Sequence, residues 1–260
     1  WVASAGIGSI VLGLFVGPRI YRLAARHNLY TVGDYLELRY GRAVRLAAAS
    51  VLWLGSLSIL AAQLIAIGFI FQVVLNIPPA WGAALGGAVV AAYFCAGGLT
   101  STVRVNAVQL GVKAAGFGLA VPWALTNLAG WDEIRAAAIS QPAVQAGSYL
   151  SWTGIGLEGV LGYAAVLIPS FIVSPGLLQK LYGARDETTI RRGVTGQGLV
   201  LLLYSVLPVL LGMIAFAQFP ELENPEMALP VLLAKSFPVW LGGLMLAAIF
   251  SAEVSSADAV

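Results

Sequence analysis

The side chains best able to do chemistry lie within apolar stretches. Ala252, Ser255 and Ser256 are spaced i, i+3 and i+4, so a helix sets all three on one face of one turn. Two hydroxyls and the carbonyl of residue 252 make three hard oxygens, the donor type that a sodium ion takes. Serines in such a stretch also bond back to carbonyls four residues earlier, and spacing alone leaves both readings open. Lys113 stands nine residues beyond Arg104, about 13 Å along a helix at 1.5 Å per residue. Glu253 and Asp258 stand beside the serines, and Asn106 lies two turns before Lys113 on the same face. Gln63, Gln109 and Gln197 are further uncharged polar points.

The elements that must carry these residues follow from composition. The 260-residue chain is 59% hydrophobic and 10% charged, with a mean hydropathy of +0.88. A soluble domain carries about 25% charged residues, so this chain cannot cover a water-facing globule; its solvent is a lipid bilayer. A net charge of +2 leaves no basic footprint for nucleic acid. The single Cys95 cannot form an internal disulfide. Seven stretches reach the roughly 20 apolar residues a crossing requires: 2–20, 46–75, 80–97, 105–128, 151–178, 194–218 and 237–260. The reading is an all-α polytopic membrane protein with seven transmembrane helices. Its odd-numbered loops, 18–45, 97–104 and 179–193, hold eleven Lys and Arg residues against two on the other side. The positive-inside rule places those loops in the cytoplasm of a multi-pass cell-membrane protein. The chain opens at Trp1 without a basic leader and stops at Val260 inside an apolar run. The expectation is one transmembrane domain over residues 1–260, cut at both ends.

At membrane depth each ionisable group costs about 2.5–3.5 kcal/mol on insertion scales, so Lys113 and Glu253 need a partner or a task. A mutual ion pair would satisfy both. Pro169 and Pro175 bracket Ser170, Phe171, Ile172, Val173 and Ser174, and the helical ladder must be interrupted there. Such a break is either a plain kink or the cavity-lining backbone that transporters use for binding. An intramembrane enzyme would need a metal or acid–base cluster. The sole His27 lies in a basic loop and no acidic pair has ligand spacing, so neither enzymatic activity nor an organic cofactor is expected.

Four segments in order resemble the sodium:solute symporter family, which includes sodium-coupled glucose, proline and pantothenate carriers. Residues 30–41, from Tyr30-Thr31 through Asp34-Tyr35-Leu36 to Arg39-Tyr40-Gly41, are similar to its cytoplasmic signature. Gly97-Gly98-Leu99-Thr100 with Val108-Gln109, then Gln179–Ala184, then Ser255-Ser256-Ala257-Asp258, resemble its later motifs. The resemblance implies a ten-helix inverted-repeat core, of which this chain would supply helices two to eight. It implies sodium at Ala252, Ser255 and Ser256, and a solute site lined by Ser170, Phe171 and Ser174 of the broken helix, with Gln63. Asn106 stands where the family often has Asp, and Leu167 where sugar carriers have a polar side chain, which argues against a sugar. The implied activity is sodium-coupled symport of a small polar solute, with the bilayer, the solute and the ion as partners. A proton-coupled carrier using Lys113, or a transporter-like solute sensor, is the alternative, and Lys113, Asn106 and Glu253 are the candidate coupling residues.

Overall fold

The computed structural model describes residues 2–140 and 146–257, and among them all regular structure is helical. The helices are α1 (Val2–Val11), running through a π turn (Leu12–Val16) into α2 (Gly17–His27), then α3 (Val32–Tyr40), α4 (Arg42–Leu75) and α5 (Pro79–Asn127). After them come α6 (Trp131–Ser140), the single turn α7 (Ala146–Tyr149), α8 (Gly156–Ile172), α9 (Pro175–Tyr182) and α10 (Glu187–Tyr204). The last are α11 (Val206–Gln218), α12 (Ala228–Ser236) and α13 (Val239–Ala257). They sort into two compact units. One takes the chain up to Gly55 together with Ser151–Val206; the other takes Ser56–Leu150 and the chain from Leu207 onward.

Six segments among the described residues are long and apolar enough to cross a bilayer, from Val2–His27 to Val239–Ser256, and Pro79–Ala92 is a shorter apolar helix. Most of the expected spans are thus present, but the expected loop at 97–104 is helical, and α5 continues through it. The cause is local. Gly97, Gly98 and the Ser/Thr run weaken a helix without removing an N–H, and no proline lies between Pro79 at the start of α5 and Pro122. A straight helix of 49 residues would rise about 73 Å, over twice a hydrocarbon core of about 30 Å. Its two apolar ends, 79–92 and 105–127, are therefore separate candidates for crossing. Trp81, Trp131, Trp152 and Trp240 are exposed, as interfacial anchors are.

In the first unit α1 lies against α10 and α8. The α1–α10 seam brings backbone close to backbone, with Ile10 and Leu202 packed beside the glycines. A Cβ added to Gly198 would stand 2.7 Å from the Gly6 carbonyl oxygen, so only hydrogen fits where the chains cross. The π turn follows from Pro18. Proline has no N–H for the carbonyl four residues back, that of Leu14, and its ring crowds that oxygen. Instead the Gly17 N–H reaches the Leu12 carbonyl, five residues back, and Arg191 Nη1 donates to Leu14 O at 3.0 Å. Glu187 holds Arg191 at 3.0 Å and Arg22 of α2 at 2.9 Å. Leu12, Leu178, Leu181 and Ile190 close the core beneath.

The second unit packs α13 along α5 and α12 against α13, with Trp123 tilted against Phe237 at 4.8 Å and Phe71 edge-on to Phe250 at 5.7 Å.

The start of α3 is a capping box. Thr31 Oγ1 accepts the Asp34 N–H at 3.1 Å, and Asp34 Oδ2 accepts the N–H groups of Thr31 and Tyr30 at 2.9 and 3.0 Å. Arg45 of α4 then clamps Asp34 at 3.3 Å and also Glu37. The Tyr30 N–H, opposed by burial and helped by Thr31 and Arg45, holds the Asp34 carboxyl below its usual pKa. The stabilisation is therefore complete above the unfolded aspartate value of about 4 and is lost as pH falls through the lower folded value. Hydrogen exchange of residues 32–40, corrected for intrinsic rates, should show constant protection from pH 7 to 5 and a loss below about pH 4. In Asp34→Asn the protection should be about fivefold weaker at neutral pH, matching a cap worth about 1 kcal/mol, and should lose its acid step.

Candidate functional site

Helix α13 carries the oxygen-bearing turn. Its buried Met245 and Ala248 lie under Gly116 of α5, where an added Cβ would be 3.1 Å from both. The same face continues to Ala252, Ser255 and Ser256. Ser256 Oγ donates to Ala252 O at 2.9 Å, so this serine takes the back-bonded state that spacing had left open. The bond spends the hydroxyl hydrogen and leaves the oxygen lone pairs beside the carbonyl, near enough for one small cation to touch both. Ser255 is half-buried on the same turn, and Asp258 lies outside the described residues.

On α5, the helix packed along α13, Asn106, Gln109 and Lys113 stand at i, i+3 and i+7. Asn106 Oδ1 and Gln109 Oε1 are buried and have no hydrogen-bond partner, and the same holds for Ser251 Oγ on α13. Buried polar atoms are normally paired, so this concentration of lone oxygens requires an explanation. Two of them are carbonyl oxygens, which only a donor or a cation can satisfy. Lys113 and Glu253 feel each other's charge across α5 and α13. Among the described residues they do not close into an ion pair, so the expected mutual salt bridge is an electrostatic neighbourhood only.

The broken helix belongs to the first unit. The interruption falls at Val173-Ser174, between α8 and α9, while Pro169 stays inside α8. Pro175 explains the site of the break: it starts α9 at a position where its missing N–H costs nothing. Ser170 Oγ is spent on Val166 O at 2.7 Å. Phe171 packs by its Cβ on α1, 2.9 Å from where a Cβ on Gly8 would stand. Ser174 caps α9 in position but makes no side-chain cap bond. Gln63 is half-buried on α4 in the second unit. Sequence reasoning missed Ser251 together with Ser9 and Thr195 of the α1–α10 seam, whose buried hydroxyls are also unpartnered. Their only signal is type, since serine and threonine in spanning helices are common.

The sodium:solute symporter family model matches residues 2–260, the four motif segments included. The chain belongs to the sodium:solute symporter family. Among solved structures it is similar to a Na+-coupled sialic acid symporter in its substrate-bound, outward-open state, with a TM-score of 0.68 at 17% identity. The likeness covers 100% of this chain and 62% of that one, and it shows the symporter fold, a multi-pass helical membrane architecture. No curated protein matches the sequence. Within the family frame the signature at residues 30–41 acquires a physical meaning: its Thr and Asp are the two halves of the α3 capping box.

Because α13 is held against α5 through Gly116, that glycine sets the spacing of the oxygen-bearing faces. Gly116→Val should lower the thermal midpoint of the detergent-solubilised protein by several degrees, as overpacking costs about 1–3 kcal/mol. Gly118→Val, at a position open on all sides, should leave it within about a degree, since surface changes stay near ±0.5 kcal/mol.

Proposed function

We propose that the protein carries a small polar solute across the cell membrane by sodium-coupled symport, with alternating access and no covalent chemistry. The observation that carries this reading is the α13 turn, where Ser256 Oγ and Ala252 O stand 2.9 Å apart with Ser255 beside them. The unpartnered oxygens of Asn106 and Gln109 on the facing helix add acceptor character that suits a cation. Sodium bound to that turn would tie α13 in one arrangement, and the ion gradient would supply the work as ion and solute leave together. The break at Val173-Ser174, with its neighbours Ser170 and Phe171, is the proposed solute-facing backbone, and Gln63 a further lining group. The charge asymmetry of the loops puts residues 18–45 and 179–193 in the cytoplasm. In the full-length protein, Ser255→Ala with Ser256→Ala should raise the sodium concentration for half-maximal uptake at least tenfold, with folding unchanged. An unaltered sodium dependence in that well-folded double variant would remove the assignment.

A second reading rests on Lys113, a lysine in a membrane-spanning segment that does not close a pair with Glu253. An ammonium about 4 Å from a sodium ion would repel it by about 4 kcal/mol at an effective dielectric of 20. Lysine and sodium therefore either sit apart or exclude each other. In the sodium-coupled reading, replacement of sodium by choline at fixed pH abolishes uptake, and Lys113→Met retains its sodium dependence. Uptake that persists in choline, collapses when the proton gradient is dissipated and is lost in Lys113→Met would establish proton coupling instead.

A further inference from the structure

Where α2, α3, α4 and α9 meet in the first unit, an apolar groove of about 630 Å³ opens. Its walls include Ile20, Tyr35, Ala48, Leu52, Leu178 and Tyr182. Along α4 the groove reaches Leu52, ten residues after the helix begins at Arg42, or about 15 Å at 1.5 Å per residue. It thus spans the depth at which headgroups give way to hydrocarbon. The charges around it are unequal. Arg45 is neutralised by Asp34 and Glu37. Arg39 lies at i+7, i+4 and i+3 from Val32, Tyr35 and Leu36, the α3 residues that line the groove, and therefore on the groove face. Its guanidinium rests 5.6 Å from the centre of the Tyr40 ring and, among the described residues, has no carboxylate partner.

An apolar slot at the bilayer boundary with one unneutralised cation on its face complements an anionic amphiphile. We propose that this groove binds one anionic phospholipid of the adjoining leaflet, an acyl chain in the slot and the phosphate on Arg39. A neutral or zwitterionic lipid would fill the slot equally well but leave the guanidinium without a net counter-charge, so headgroup charge decides the occupant. One basic residue near an anionic surface is worth about a fivefold preference.

Native mass spectrometry of the purified full chain in a neutral detergent, incubated with dioleoylphosphatidylglycerol or dioleoylphosphatidylcholine, tests this. The expected result is one retained phosphatidylglycerol, about fivefold above phosphatidylcholine. Arg39→Gln should equalise the two lipids. Ala48→Phe, which fills the slot, should remove both adducts, and Arg42→Gln, off the groove face, should change neither. Leu52→Trp repeats the slot-filling test if Ala48→Phe melts early. Equal retention of the two lipids by the unaltered protein, an Arg39→Gln variant that keeps the preference, or a folded slot-filled variant that keeps the lipid would overturn the proposal. Displacement of the lipid by millimolar inorganic phosphate would do the same, because the site would then be one for a free anion.

Discussion

In hydrocarbon a backbone carbonyl has no water to bond, and the rest of this structure depends on that constraint. It makes every span a helix, and it makes each departure from the helix conspicuous, because the freed groups must find other partners. Three places show how this constraint is met. At Pro18 the helix lets out a π turn, and Arg191 supplies the donor for Leu14 O. At Val173-Ser174 the ladder opens between two helices, in a segment where Ser170 has turned its hydroxyl back to Val166 O. At Ala252 the carbonyl stays within the ladder's reach but takes an extra bond from Ser256. The same chemistry, a polar group answering a backbone oxygen in a dry place, serves structure at the first position and is proposed to serve ion binding at the last.

Much of this was legible in the sequence, and the reasons are specific. The spans could be read because a bilayer demands about 20 apolar residues and nothing subtler. The break at residue 174 could be read because proline removes a donor wherever it stands. The α13 face could be read because i, i+3 and i+4 coincide on any helix. What escaped depended on neighbours distant in the chain. The π turn needs Arg191, contributed by a helix some 170 residues later. The helical course of 97–104 escaped because a glycine pair weakens a helix without forbidding it. The unpaired oxygens of Asn106 and Gln109 are a property of packing, and asparagine or glutamine in a span reads the same whether or not it has a partner. The expected ion pair between Lys113 and Glu253 was a statement about charge; whether it closes depends on side-chain reach, which spacing does not encode.

The polar contacts at residues 30–45 show how a short motif can carry a large consequence. Thr31 and Asp34 satisfy the first amides of α3, and Arg45 ties that helix to the start of α4. A two-residue cap and one arginine thus fix a helix of nine residues, too short to be stable by itself. The cost of that arrangement is that Arg45 has no charge to spare, whereas Arg39 on the groove face has no carboxylate partner among the described residues.

The glycine seam between α1 and α10 has a mechanical consequence. Where Gly6 and Gly198 cross, backbone lies nearly against backbone with Ile10 and Leu202 filling the flanks, so the two helices have little room in which to slide. The pair is tied at its end by Glu187, which holds both Arg22 and Arg191. Bending within this half of the chain would therefore meet the least backbone resistance at Val173-Ser174, where the helical ladder is already open.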